Sequence, residues 1–399
     1  MVGARGAGLM TPTITFVSPR YGADVVGGAE QGARSFATRM AAEGWNIRVL
    51  SSCARSSVTW EDHDAPGTTI EEGVEVTRFR VRRPRDPGLD ARSAQLFASP
   101  SVSLDDAYDW IDRQGPDSPD LLEAIAAVDD GVLSLIPYLY QPTVRGLHLA
   151  KVPALLQAAT HPEPPLRLPV FDELFSAADA LLHGSRAEQQ LVLERFPSTA
   201  STPQTVLGYP VEIDGPVDPD AARRALGLGD EPFCVYLGRV DAGKGVLDLV
   251  ERFRAFRQRR GGGRLVIAGP VIDKPPVVDG VDVLGRIPTE HKFGLLAAAD
   301  VLINPSPHES FSFVVPEAFL VGTPALVNGW CLPLREHCEN SHGGLWYTGS
   351  ADFDAALGRL LNDAPLRDHL AAAGRAYVES MFSWDAVRTR WESILGRVS

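Results

Sequence analysis

The sequence predicts an α/β protein made of two doubly wound domains. Three observations carry this. Residues 13–17 (TITFV) form an apolar run that leads through a glycine-bearing loop into a helix-spaced pattern. The same order of strand, glycine loop and helix returns from residue 233 onward. The chain has 399 residues, more than one domain of ordinary size holds.

In the first half, residues 13–17 read as a buried strand. Gly22, Gly27 and Gly28 punctuate the loop. Ala33, Phe36, Ala37, Met40 and Ala41 then share one helix face, and Gly44 stands where a glycine stops a helix. Residues 46–51 (NIRVLS) are the next strand, which completes a βαβ unit with a parallel pair. In the second half, residues 233–237 are a strand and 238–245 (GRVDAGKG) a loop. Val246, Leu249, Val250 and Phe253 mark a helix face, Gly261–Gly263 end it, and residues 265–268 are the next strand. Pro and Gly cluster over residues 202–216, where the chain passes between domains. The domains are set at 1–206 and 207–380. Residues 381–399 follow as an amphipathic helix, with Trp384, Val387, Trp391 and Ile394 on one stripe, packing back toward the first domain.

Composition excludes several classes. A hydrophobic share of 44% and a charged share of 22% are those of a globular chain. No apolar run reaches the roughly 20 residues that span a bilayer, and the first residues lack the apolar stretch of a secretory leader, so a cytoplasmic protein is expected. The formal charge of −13 disfavours nucleic acid and anionic lipid as bulk partners. The four cysteines, Cys53, Cys234, Cys331 and Cys338, have neither disulfide-framework nor zinc spacing. Of 38 basic residues only Lys151, Lys244, Lys274 and Lys292 are lysines, so a lysine inside a motif stands out. Lys244 is such a lysine.

The most informative stretch is 304–324 (NPSPHESFSFVVPEAFLVGTP). Residues 301–303 read as a strand, Glu309 falls in the following loop, and residues 313–320 read as a short helix closed by Gly322 and Pro324. Eight helical residues would set Glu309 and Glu317 roughly 12 Å apart. A glycosidase pair works at about 5–9.5 Å across one bond. The two glutamates therefore suit different parts of one ligand. Free backbone N–H groups at the helix start suit a phosphate.

Glu309 and Glu317, in an E-x7-E pattern after an Asn-Pro-Ser loop, resemble the motif of retaining glycosyltransferases of the GT-B fold, family 4 type. Gly238-Arg239-Val240-x-x-x-Lys244-Gly245 resembles that family's donor-diphosphate motif, and Gly27-Gly28-Ala29-Glu30 its N-domain glycine loop. The resemblance covers both domains. It implies a GT-B fold, two Rossmann-like doubly wound domains facing a cleft, with the donor on the second domain and the acceptor on the first. It implies a retaining, metal-independent transfer of a hexose-type sugar from a nucleotide-sugar, UDP-sugar favoured and GDP-sugar the alternative, to a hydroxyl on a small-molecule, glycan or lipid-linked acceptor. No cofactor, nucleic acid or integral membrane segment is implied; peripheral membrane contact and oligomeric state stay open.

By the same resemblance Arg239 and Lys244 neutralise the diphosphate, which is also what a leaving group gathering charge requires. Glu309 contacts donor-sugar hydroxyls and Glu317 the ribose diol. Backbone N–H groups of Phe311, Ser312, Phe313 and Val314 meet the phosphates and Ser310 joins the donor site, with Ser310 and Ser312 where the family commonly carries glycines. Gly27 and Gly28 allow close backbone approach to phosphate and acceptor. Arg286 and Ile287, after a strand at 281–284, meet the nucleobase. His161 takes the place of a histidine facing the donor sugar, with His148 and His183 as alternatives. Trp60, Tyr138 and Tyr140 lie in acceptor-side loops, where aromatic rings stack on sugars. Arg78, Arg80, Arg82, Arg83 and Arg85 form a basic run, read as an exposed strand edge, with a phosphorylated acceptor or a membrane patch as the alternative contacts. Two D-x-D triplets, at 218–220 and 352–354, are read as structural and not as metal ligands. A sugar-nucleotide epimerase of similar fold and a non-catalytic nucleotide-sugar binder are the competing readings.

Overall fold

The computed structural model describes residues 13–25, 27–213 and 215–398; the leader-region reading of residues 1–12 lies outside these. The chain forms two compact units. One comprises the described residues up to Gly184, Glu188–Tyr209 and the chain from Thr389 onward. The other comprises Ser185–Ala187 and Pro210–Arg388. Residues 381–388, grouped with the C-terminal tail on sequence, cluster with the second unit, and only the later turns of the last helix, Trp384–Val398, cluster with the first.

Among the described residues the first unit holds eight strands: β1 (Ile14–Val17), β2 (Ile47–Ser52), β3 (Gly67–Glu71), β4 (Val74–Phe79), β5 (Val132–Leu135), β6 (Ala154–Gln157), β7 (Ala180–His183) and β8 (Gln204–Val206). Their order is β3-β4-β2-β1-β5-β6-β7-β8, and only the β3–β4 pairing is antiparallel. Strands β1, β5, β6 and β7 are buried throughout. A parallel strand covered by helices on both faces has no solvent side, so these strands are mostly apolar and even their polar members Thr15, Ser134, Gln157 and His183 are buried. The helix Gly28–Ala42 buries Phe36, Ala37 and Met40 against this sheet. Trp391 from the last helix closes the same layer, its ring edge-on to Phe16 and Phe36 with centroids 6.0 and 5.4 Å away.

The second unit holds β9 (Cys234–Leu237), β10 (Leu265–Ala268), β11 (Val281–Gly285), β12 (Val301–Asn304), β13 (Ala325–Asn328) and β14 (Gly344–Tyr347). Their order is β11-β10-β9-β12-β13-β14, all parallel. The chain winds outward from β9 to β11, then returns to place β12 on the other side of β9. The winding direction reverses between β9 and β12. In open α/β sheets the crevice past the strand ends at such a reversal is where ligands bind. The loops leaving β9 and β12 are those that carry Lys244 and Glu309.

Candidate active site

In the second unit, the loop after β9 is held by Asp241. Its Oδ1 accepts the Lys244 backbone N–H at 2.8 Å and caps the single turn Ala242–Lys244, while Oδ2 pairs with Arg239. Arg239 is otherwise exposed to solvent. The turn ends at Gly245, which has φ +70°, and a Cβ there would stand 2.7 Å from the Pro305 carbonyl. Only glycine fits both the left-handed backbone and the close approach of the β12 loop. The approach brings the side chains together: Lys244 Nζ lies 2.7 Å from Glu309 Oε1, both half-buried.

The segment after Glu309 is tied down residue by residue. Ser185 Oγ donates to the Ser310 carbonyl at 2.8 Å, and His337 Nε2 to the Phe311 carbonyl at 2.7 Å. Burial pushes the His337 imidazole down to about 4, so it stays neutral as that donor. Ser312 has φ +73°, a left-handed backbone at a non-glycine residue, and its Oγ accepts from Asn304 Nδ2 at 3.1 Å. The position where the resembled family carries a small glycine is thus one where the backbone itself favours glycine. The helix begins at Val314, one residue later than the spacing suggests, and runs to Leu320. Glu317 sits in its first turns with its side chain 6% exposed, and its Oε1 meets Lys292 Nζ at 2.5 Å. Lys292 opens the helix Lys292–Ala298 and was not singled out on sequence.

The two glutamates therefore serve different lysines, Glu309 with Lys244 and Glu317 with Lys292. That arrangement does not make an acid/base couple on one bond. Cys331, between β13 and the helix Leu332–Ser341, belongs to the same cluster. Burial, and next the Glu309 charge, push its thiol up to about 12, and the backbone N–H groups of Leu334 and Glu309 point at its sulfur. Arg286 is exposed and Ile287 half-buried beyond the end of β11. Three of the four carboxylates of the D-x-D triplets have structural partners: Asp218 caps the helix Pro219–Ala225, Asp352 accepts from Thr348, and Asp354 pairs with Arg259.

In the first unit the reversal lies between β1 and β5. Gly27 precedes the helix Gly28–Ala42, and a Cβ on it would lie 2.1 Å from a Glu30 carboxylate oxygen. Glu30 in turn is bound by Arg20, whose Nε donates at 3.0 Å. Sequence reading missed this buried pair, which places a carboxylate and its neutralising cation beside the Gly27-Gly28 backbone. Tyr140 is half-buried at the end of the loop after β5. Burial, and next the charge of Glu30, hold its phenol above the usual range.

Two acceptor-side expectations are overturned. Trp60 is 1% exposed, donates its indole N–H to the Gln114 carbonyl at 2.7 Å, and lies edge-on to Tyr140 at 5.1 Å. Tyr138 is also 1% exposed and packs on Phe171. Neither ring offers a face to a sugar; both are packing residues. Tyr138 instead donates to Glu163 Oε1 at 2.6 Å, and the same oxygen lies 3.5 Å from His161 Nε2. Burial pushes Glu163 up to about 7. Of the alternative histidines, His183 is buried in β7 and His148 is exposed after the helix Gln141–Leu147. Four of the five arginines of the run pair with acids: Arg78 with Glu71, Arg80 with Asp62, and Arg82 and Arg83 with Asp117. Arg78 lies in β4, and β3 covers it as the edge strand. No helix among the described residues is long and apolar enough to cross a membrane.

Two parallel-sheet α/β units of this kind are the GT-B class of fold. Comparison with known proteins points the same way. Residues 218–377 match the family described as "Glycosyl transferases group 1". The chain is 30% identical over 270 residues to a D-inositol 3-phosphate glycosyltransferase of Stackebrandtia nassauensis, a match covering 61% of this chain and 60% of that one. It is 26% identical over 411 residues to a glycogen synthase of Mycobacterium tuberculosis, covering 94% and 92%. Among solved structures, sucrose-phosphate synthase from Thermosynechococcus elongatus superposes with a TM-score of 0.70 at 20% identity, over 96% of this chain and 98% of that one. Anabaena HepE, solved in complex with UDP and glucose, gives 0.69 at 16%, over 97% and 100%.

Proposed function

We propose that the protein is a retaining glycosyltransferase that moves a hexose-type sugar from a nucleoside-diphosphate sugar to a hydroxyl acceptor without a metal. One observation carries the reading. Lys244 and Glu309, on the two loops that leave the sheet at its winding reversal, meet at 2.7 Å. In this reading Lys244 and Arg239 face the diphosphate, Glu309 the sugar hydroxyls and Glu317 the ribose diol. The N–H groups from Phe311 to Val314 face the phosphates. Arg286 and Ile287 lie at the base, and His161, with Gly27 and Gly28, serves from the first unit.

The bond between the anomeric carbon and the diphosphate oxygen breaks, and its electron pair stays on that oxygen. Lys244 and Arg239 stabilise the charge gathered there, which lowers the barrier for departure. The acceptor oxygen attacks the same face, and the leaving diphosphate takes the acceptor's proton. A UDP-sugar donor is favoured because one fold relative was solved with UDP and glucose.

The test is a thermal-shift screen with UDP, GDP, ADP and dTDP and their common sugar conjugates, repeated on Lys244→Ala. The shift should vanish in the variant; a variant that keeps the full shift sinks the assignment. The anomeric configuration of the product, read by NMR, decides retention. Epimerised nucleotide-sugar formed without acceptor would favour the epimerase reading instead.

A further inference from the structure

Trp330 is 75% exposed, more than any other aromatic side chain described, yet it is held at both ends. Its backbone N–H donates to Asn328 Oδ1 at 3.1 Å, and its indole N–H to the Thr348 carbonyl at 2.9 Å. A side chain fixed this way has little rotamer freedom left to lose when something covers its face.

What anchors Trp330 also anchors the donor loops. Asn328 Nδ2 donates to the carbonyls of Pro305 at 3.2 Å and Ser306 at 3.4 Å, in the loop that carries Glu309. The Pro305 carbonyl is the atom that Gly245 approaches, next to Lys244. On the other side of Trp330, Cys331 receives the Glu309 backbone N–H. Trp330 is thus one residue from a direct contact with Glu309, whereas Glu317 is engaged separately with Lys292. Gly329 keeps the platform close: its N–H donates to the Tyr347 carbonyl at 2.8 Å, and a Cβ on it would strike the Trp346 ring at 2.8 Å.

We infer that Trp330 is a specificity-determining residue whose exposed ring face packs against the sugar ring of the donor, on the side where Glu309 takes its hydroxyls. This deepens the donor-site reading and rests on it. A pyranose presents a C–H face that suits an indole and hydroxyl edges that suit a carboxylate, so the pair reads both aspects of one ring. The diphosphate and base are left to other residues.

The experiment compares affinities by titration calorimetry on the full chain. The probes are UDP, GDP, ADP and dTDP, each beside its glucose, galactose, mannose and N-acetylglucosamine conjugates. In Trp330→Ala, the free nucleoside diphosphate should bind as in wild type, which also reports an intact site. The best conjugate should weaken by about two- to tenfold, the range of an aromatic packing contact. Trp330→Phe, which keeps a ring face, should restore most of the loss. Equal weakening of diphosphate and conjugate would mark Trp330 as structural or base-contacting and overturn the inference, as would an unchanged conjugate affinity. Wild-type protein that binds none of the probes removes the donor-site reading, and this inference with it.

Discussion

Lys244 Nζ and Glu309 Oε1 stand 2.7 Å apart, 65 positions apart in sequence. In the proposed reaction each must turn to the donor, the lysine to the diphosphate and the glutamate to the sugar. The pair therefore holds both groups in place until the donor competes for them. Removing either charge should act on a different step. Lys244→Ala should lower nucleotide affinity and kcat together, because its charge acts on the diphosphate before and during departure. Glu309→Gln should keep nucleotide affinity within a few-fold while kcat falls by roughly 10²–10³, as when one preorganised charge partner is removed. Steady-state kinetics with nucleotide titration checks both. Equal losses of nucleotide affinity in the two variants would contradict the division of roles.

Glu317 and Lys292 give a stability prediction. The Glu317 side chain is 6% exposed and its oxygen meets Lys292 Nζ at 2.5 Å. Lys292→Ala leaves that carboxylate buried without its cation, which should cost about 3 kcal/mol. Adding Glu317→Gln to that variant removes the stranded charge and should recover most of the loss. Urea midpoints of the two single variants and the double variant measure this. If Lys292→Ala is as stable as wild type, the pair is not a buried ion pair in solution.

Glu163 predicts a pH dependence. Burial pushes its carboxyl from the ordinary 4.5 up to about 7. A raised carboxyl favours the folded state while protonated. Its contribution is full below pH 4.5, declines as pH rises, and is gone above about 7, at most about 3 kcal/mol over the window. Glu163→Gln stays neutral throughout. The stability of wild type minus that of Glu163→Gln should therefore fall as pH rises from 4.5 to 7, and be flat above 7. Tm measured across pH 4–8 checks it; a flat difference would show that Glu163 is ionised with little cost in the folded protein.

The sheets were legible because their signals are local. Strands Ile14–Val17 and Leu265–Ala268 are buried on both faces and largely apolar, and Gly44 and Gly261 stop helices where their spacing says they should. Lys244 and Glu309 were legible as motif members. The partners of Glu317 and Glu30 were not, because topology creates them: nothing near Glu317 announces Lys292, 25 residues earlier, and nothing near Glu30 announces Arg20 as its buried cation. Trp60 misled for the same reason. It lies among polar residues that suggest an exposed loop, but the Gln114 carbonyl that receives its indole N–H is 54 residues away. The helices Leu89–Ala98, Leu104–Gln114 and Pro119–Ala126 were not read at all; Leu104–Gln114 buries only Ala107, Trp110, Ile111 and Gln114 amid acidic residues.

Ser312 sets two terms against each other. Its left-handed backbone, φ +73°, costs a side-chain-bearing residue about 1–2 kcal/mol. Its Oγ, however, accepts from the buried Asn304 Nδ2 at 3.1 Å, and stranding that donor costs about 1–3 kcal/mol. Ser312→Gly removes the strain, adds about 0.5–1 kcal/mol of chain entropy, and strands Asn304. The terms nearly cancel, so it should be equal to wild type or less stable by about 1 kcal/mol. Ser312→Ala keeps the strain and strands Asn304, so it should be the least stable of the three, about 1–3 kcal/mol below wild type. The expected order in urea unfolding is wild type, then Gly, then Ala. A Ser312→Gly variant clearly more stable than wild type would mean that the hydrogen bond to Asn304 contributes nothing. In that case the serine's side chain, which stands where the resembled family keeps a glycine, has its reason in the donor pocket and not in the fold.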